Sequence, residues 1–467
     1  MNKRFYILFL TIAVATGSCS KLLDQKPVSS LVEESYYANT NEVETGVIAC
    51  YDGLQQVYDI EYKLTEVRCD NNGNNIYPIE GDWGAIKRFT DAPSTFFTLD
   101  FWQKSYNTIA RCNLVLKHLD NVTDADKKRY FEGEAKFIRA LMYFNLVRLY
   151  GDVPLITSNI NYTEKDKFKR IASTEVYKLI VSDLSTALDM CPASWSSTDG
   201  LARASKGAAR ALLGKVYLTQ KDWPNAKIML EPLATGTTYN LLDAYGDIFS
   251  LNKEMSQEII FAVRYKANSN KEGNTFSYIY TATGDARYIR GSTDYLALFV
   301  TADSIRKKTT FSTTSNLCGK FLDPTAASYD AGNDFPILRF ADVLLMYAEV
   351  LNELNGTPAD ATLAPLNRVR KRAGAGLEQY TTTTLTTQQA IRNAIDKERR
   401  LEFGYENQRW YDLLRKEPAT AISIMNTFLT GAGYLNVNIP AYRLTYPIPQ
   451  SEIDLSSGVM EQTAGYK

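Results

Sequence analysis

At 467 residues, 45% of them hydrophobic, the chain can build one large core or two to three ordinary ones. Its 52 Lys and Arg balance 53 Asp and Glu, which leaves no basic footprint for nucleic acid and no acidic tail, so a neutral or polar ligand fits better. The single histidine, His118, excludes a two-histidine zinc site, HExxH and the facial triad, and a Ser-His-Asp triad would need that one residue.

Residues 1–19, MNKRFYILFLTIAVATGSC, pair a basic start (Lys3, Arg4) with an apolar run from Phe5 to Thr16 and small residues before Cys19. That pattern reads as a secretory signal over 1–18, too short for a permanent membrane span. Gly17-Ser18-Cys19 resembles a bacterial lipobox, in which Cys19 is acylated and becomes the mature N-terminus. Residues 19–30 then read as a polar tether and 31–467 as one domain. The other cysteines, Cys50, Cys69, Cys112, Cys191 and Cys318, are far apart, odd in number and without CxxC spacing, so isolated buried thiols are expected rather than a metal site or a disulfide framework.

Helical periodicity dominates the rest of the chain. Thr40 to Tyr58 places Val43, Val47, Cys50, Leu54 and Val57 three and four residues apart, an amphipathic helix behind a Thr/Asn cap. Phe101 to Leu119 forms a second helix, with His118 on its surface. Gly133 to Tyr150 is apolar on nearly every side, so it must lie among other helices, and Gly151 and Pro154 end it. Residues 205–234 match a tetratricopeptide spacing through Gly214, Tyr217, Ala226 and Leu230, with KDWPN as the turn. Residues 338–374 give another helix-turn-helix around Ala348 and NGTPAD. Residues 236–335 are rich in Tyr, Thr, Ser, Asn and Gly, with short β-like runs such as EIIFAVRY, and read as irregular structure laid over the helices. The expected fold is mainly α: an α-α superhelix of tetratricopeptide-like pairs carrying long irregular loop insertions near 68–100 and 236–335.

EAKFIRALMYFNLVRLYGDVPL, FPILRFADVLLMYAEVLNE, LNRVRKRAG, KERRLEFGYENQRWYDLLR and YPIPQSEIDL followed by QTAGY resemble, in order, the signatures of the SusD/RagB family of Bacteroidetes outer-membrane lipoproteins. The resemblance spans essentially the whole chain. It implies a cell-surface nutrient-binding protein, usually for oligosaccharides, anchored to the outer membrane by its lipid and capping a SusC-like TonB-dependent transporter. It also implies four tetratricopeptide-like pairs as scaffold, with a ligand site on the loops. The charges of KERRLEFGYENQRWYDLLR stand at helical spacing and are read as ion pairs between helices.

A sugar site needs an aromatic face for the CH side of a ring and polar groups for its hydroxyl edges. The stretch Cys69 to Gly84, CDNNGNNIYPIEGDWG, supplies both. With the preceding arginine it nominates Arg68, Asp70, Asn71, Asn72, Asn74, Asn75, Tyr77 and Trp83 as ligand-binding residues. The resemblance adds that an aspartate after the first long helix opens a loop of the binding face, the place Asp70 occupies. Residues 278–295, YIYTATGDARYIRGSTDY, nominate Tyr278, Tyr280, Arg287, Tyr288, Arg290 and Tyr295. Trp102 and Trp410 read as scaffold, and Trp195 is a loop aromatic with no assigned face. No catalytic residue, cofactor or metal is expected, and no EF-hand pattern occurs. A secreted hydrolase with paired carboxylates and a purely protein-gripping helical adaptor stay open as other readings. So does the ligand: starch, fructan, N-glycan, mucin glycan or peptide.

Overall fold

The computed structural model describes residues 36–73, 80–161, 163–195, 202–269, 272–281, 289–312, 316–373 and 377–466. Helix α1 (Thr40–Glu61) starts where the Asn39 side chain accepts the N–H groups of Asn41 and Glu42, satisfying donors that have no partner inside the helix. A short α2 (Gly81–Arg88) and then α3 (Phe96–Lys117) come next. Helix α4 (Ala125–Tyr150) begins under an Asp124 cap and stops at Gly151, whose φ of +75° favours glycine. Both α3 and α4 start earlier than their apolar stripes suggest, because the added first turns carry aromatic or charged residues that break the stripe.

The chain continues through α5 (Ser173–Met190), α6 (Lys206–Thr219) and α7 (Trp223–Ala234). After a long insertion come α8 (Phe340–Asn355), α9 (Asp360–Ala373), α10 (Gln388–Glu402), α11 (Arg409–Leu414) and α12 (Pro418–Gly431). Four pairs pack together, α1 on α3, α4 on α5, α6 on α7 and α8 on α9, and they join in series where α3 meets α4, α5 meets α6 and α7 meets α8. This is the mainly α superhelix expected from the sequence. Gly214 permits a close approach of α6 and α7: a Cβ there would lie 2.7 Å from the Leu230 side chain.

The insertion between α7 and α8 returns to the scaffold through an antiparallel pair, β1 (Ile259–Val263) with β2 (Phe335–Arg339). Arg339, at the end of β2, is buried and ion-pairs with Glu406 at 2.7 Å, Glu402 at 2.6 Å and Glu258 at 3.1 Å. Arg306 joins the same cluster through Glu398 at 2.5 Å and Asp303 at 2.5 Å. Arg399 binds Asp412 at 2.9 Å and Asp342 at 2.7 Å. The charges of KERRLEFGYENQRWYDLLR are thus internal ties, expensive to desolvate and costly to break singly. Trp102 and Trp410 lie in the core, and His118 caps α3 with its ring stacked on Tyr37 at 4.9 Å.

Cys50, Cys69, Cys112, Cys191 and Cys318 are all buried. All five are free thiols, as the sequence led us to expect, and Cys50 Sγ donates to Gly46 O at 3.3 Å.

Candidate functional site

The two nominated stretches meet. Asn72 and Gly291 form an antiparallel bridge, the Gly73 N–H donates to Arg290 O at 2.6 Å, and the Ser292 N–H donates to Asn71 O at 2.8 Å. Gly73 is required by this approach, since a Cβ on it would sit 2.7 Å from the Ser292 Cα. The Asn72 side chain reinforces the joint by accepting the Arg290 N–H at 3.0 Å.

Much of the nominated polar set serves the joint and is turned away from solvent. Arg68 is fully buried, its guanidinium lying 4.0 Å from the Tyr446 ring centroid and 4.3 Å from that of Phe89, with Asp91 at 2.5 Å. Asp70 is gripped by Arg409 through Nε at 2.7 Å and Nη2 at 2.9 Å, with Arg400 at 3.3 Å. Burial pushes the Asp70 carboxyl up, but the charges of Arg409 and Arg400 prevail and hold it well below the usual carboxylate range. Asn71 accepts Arg400 Nε at 2.7 Å. Beneath them Lys87 donates to Cys69 O at 3.0 Å and Asn72 O at 2.6 Å, and burial lowers its ammonium to about 8.

Arg68, Asp70, Asn71 and Asn72 are therefore corrected from ligand contacts to internal ties: Arg400 and Arg409 cover Asp70 and Asn71, Asp91, Phe89 and Tyr446 enclose Arg68, and Lys87 and Arg290 hold Asn72. Tyr280 and Tyr295 are corrected likewise. Tyr280 is enclosed by Tyr62, Phe276 and Tyr405, and Tyr295 by Phe299 and Phe311, with no exposed ring surface. Asn74, Asn75, Tyr77, Arg287 and Tyr288 lie outside the described residues.

What remains at the surface is aromatic on one flank and polar on the other. Trp83 is half-buried, edge-on to Phe97 at 5.0 Å and tilted over the buried Tyr62 at 6.1 Å. Phe97 also carries Lys63 Nζ at 4.8 Å, and Phe96 beside it is 58% exposed. Tyr62 packs on Tyr280 at 5.3 Å, and in the same segment Tyr278 lies against Tyr329 at 4.1 Å, whose ring is 46% exposed. On the polar flank, a cleft of about 440 Å³ is lined by Gly73, Arg290, Asp294, Asn316, Phe428 and Ala432.

Together these groups offer ring faces, an amide, a carboxylate and a guanidinium around one joint, the inventory an uncharged polyhydroxylated ligand requires. Phe96, Phe97, Tyr329, Asn316 and Phe428 were not legible as site residues. The adjacent pair Phe96-Phe97 at the start of α3 was the available signal, since consecutive side chains point in different directions and a helix end packed on one side leaves one of them outward.

Trp195 is held elsewhere. Its Nε1 donates to Ala204 O at 3.0 Å and its ring lies 4.5 Å from the Arg203 guanidinium, which in turn binds Glu134. Among the described residues, no cluster of His, Cys, Asp and Glu is arranged to hold a metal, and no helix is long and apolar enough to cross a membrane.

Two family models match the chain over most of its length. Residues 21–218 match the family described as "Starch-binding associating with outer membrane", and residues 259–466 match the SusD family. Among curated relatives, the SusD-like protein P25 of Formosa agariphila is 25% identical over 99% of both chains. A SusD-like protein of Bacteroides ovatus is 25% identical over 87% of this chain and 81% of its own. Among solved structures, a laminarin-binding SusD-like protein superposes with a TM-score of 0.74 at 25% identity, covering 92% of this chain and all of that one. Surface glycan-binding protein A from Bacteroides thetaiotaomicron, in complex with laminarihexaose, gives a TM-score of 0.76 at 21% identity over 90% of this chain and 99% of its own.

Proposed function

This chain belongs to the SusD/RagB family, and from that premise we propose that it is a non-catalytic glycan-binding protein of the cell surface. Its ligand lies over the joint of residues 68–97 and 276–295 and is passed to a SusC-like TonB-dependent transporter. Acylation of Cys19 holds the protein on the outer membrane, an association that the name of the matching family supports.

The observation that carries this reading is the bridge between Asn72 and Gly291, with aromatic rings on one flank and the Arg290, Asp294 and Asn316 cleft on the other. Rings stack against the CH faces of a sugar, while the cleft groups exchange hydrogen bonds with its hydroxyls. The buried carboxylates nearby are committed to arginines and are poor candidates for general acid and base. That favours binding without turnover.

Titration calorimetry of the purified protein tests the reading, beginning with laminarin oligosaccharides because a relative at 25% identity binds laminarin, then extending to other glucans, fructans, mannans and host glycans. Binding in the micromolar to millimolar range without release of reducing ends is expected, about 4–8 kcal/mol of affinity. A folded protein giving no heat across that whole panel overturns it. Release of reducing ends would restore the hydrolase reading.

A further inference from the structure

We propose that Lys87 is a positioning residue of the ligand face, its buried ammonium holding the aromatic flank and the polar cleft in a fixed relation to each other. This role rests on the reading of that face as a glycan site. Three lysines are buried among the described residues. Lys215 meets Asp342 at 3.0 Å and Lys320 meets Glu406 at 2.6 Å, so each of those ammoniums has its counter-charge. Lys87 has no solvent exposure, and its Nζ donates to carbonyls instead, Cys69 O at 3.0 Å and Asn72 O at 2.6 Å, while standing 4.5 Å from the centroid of the Phe428 ring. The nearby Asp70 carboxylate is taken by Arg409 and Arg400. Burial accordingly lowers the Lys87 ammonium to about 8, although Cys69 and Asp70 oppose the shift. A cation desolvated without a counter-charge is expensive, and a methionine of nearly the same length would fill the space at less cost. Packing alone therefore does not account for a lysine here, whereas its hydrogen bonds do.

The two acceptors lie three residues apart in the segment that builds the joint. Asn72 is bridged to Gly291, Gly73 beside it lines the cleft, and Phe428 on α12 lines the cleft as well. On its own helix, α2, Lys87 stands one turn after Trp83, whose ring meets Phe97 and Tyr62 on the aromatic flank. One ammonium thus connects α2, the segment 69–73 and α12, which contribute to both flanks. Helix α2 ends just beyond it at Phe89, whose φ of +58° is a left-handed conformation that costs a bulky residue energy. A costly cation and a strained turn lie together at the base of a binding surface, where stability is given up for fixed geometry.

Without these donors the Cys69 and Asn72 carbonyls turn toward water, the bridge to Gly291 loosens, and Trp83 is no longer held at a set distance from the cleft. A glycan that stacks on one flank and exchanges hydrogen bonds on the other then meets both only while the joint is closed. Its apparent affinity falls in proportion to the closed fraction.

The test is Lys87→Met in the full chain, which keeps the side chain's length and removes its donors. Hydrogen exchange read by mass spectrometry should show the amides of residues 69–73 and 289–292 exchanging about tenfold faster than in the parent, with those of α8 unchanged. The Tm should stay within about 5 °C of the parent, because the loss of two hydrogen bonds is set against the release of a buried charge. Calorimetry with laminarihexaose, or with the first oligosaccharide of the panel that the parent binds, should show affinity reduced about tenfold. Lys87→Arg retains N–H donors and should keep the joint protected. Parent-like exchange in Lys87→Met, or undiminished affinity for a sugar that the parent binds, overturns the role. A larger fall in Tm, or a failure to fold, makes Lys87 a tie of the whole fold and overturns it too. Equal loss of protection in both variants would assign the effect to side-chain shape and overturn the role of the donors. Because exchange is read without sugar, its failure is distinguishable from a failure of glycan binding.

Discussion

The base and the rim of the ligand face are built from the same kinds of residue and do opposite work. In the base, Asp70, Asn71 and Arg68 find partners among Arg400, Arg409, Asp91 and Tyr446 and vanish from the surface. On the rim, Trp83, Tyr278, Tyr329 and Arg290 have partners that leave part of each side chain accessible. Polarity alone does not separate the two. What separates them is whether a complementary group from another part of the chain arrives to cover the residue, and a buried charge must be so covered to be tolerated at all.

The sharpest way to break this comparison is to remove one partner in the base. Arg409→Ala leaves Asp70 buried with Arg400 as its remaining cation, and truncating one member of a buried pair costs about 3–5 kcal/mol. Chemical denaturation should show a loss of that size or an insoluble protein. Asp70→Asn combined with Arg409→Met removes both charges and should recover a substantial part of the loss. If Arg409→Ala unfolds like the parent, Asp70 is not a structural tie and its role as a ligand contact returns.

A smaller effect comes from titration of the buried carboxyls. Burial raises Glu66 to about 7, with Glu406 adding to the rise, raises Asp334 to about 7, and raises Asp59 to about 6. Each holds its proton more tightly folded than unfolded, so its contribution to stability is full below about pH 4 and is lost as pH rises toward 7. Glu402 runs the other way: burial raises it, but Arg372, Arg339 and Arg306 together bring it down to about 2, so its contribution is lost as pH falls through the range from 4.5 to 2. Thermal unfolding should therefore peak near pH 4.5–5, with the Tm rising by roughly a few degrees between pH 8 and pH 5. Glu66→Gln should flatten the alkaline limb, whereas a parent Tm that falls on acidification from pH 8 to 5 would refute the reading of Glu66.

Local order was legible where local forces decide it. The stripe at Val43, Val47, Cys50, Leu54 and Val57, the Asn39 cap and the stop at Gly151 act within a turn or two, and the helices formed accordingly. The ion-pair reading of residues 397–415 also survived, since charges buried on the packed face of a helix must be neutralised. The candidate site was legible in part. Both stretches were located, and their meeting at Asn72 and Gly291 supports the choice. Which side chains face outward was not, because Asp70 is covered by Arg409 from the far end of the chain. Tyr278 and Tyr280 are likewise two residues apart in one short helix, with opposite fates.

The smallest effects belong to the rim, where they also carry the most information about function. Trp83 rests on Phe97 and Tyr62, so Trp83→Ala should cost some stability, about 1–2 kcal/mol, and also weaken glycan binding by roughly tenfold, the worth of one stacked ring. Phe96 separates the two consequences, because its ring is 58% exposed and its loss leaves no cavity. Phe96→Ser should leave the unfolding free energy within about 0.5 kcal/mol of the parent. If the platform extends to the first turn of α3, the same change should lower affinity for longer oligosaccharides by about twofold to fivefold, with little effect on short ones, because an outlying ring meets only the end of a long chain. Calorimetry with a length series reads this directly. Equal losses for short and long ligands would place Phe96 at the centre of the site, and no loss at any length would confine the platform to Trp83 and the pair Tyr278 and Tyr329.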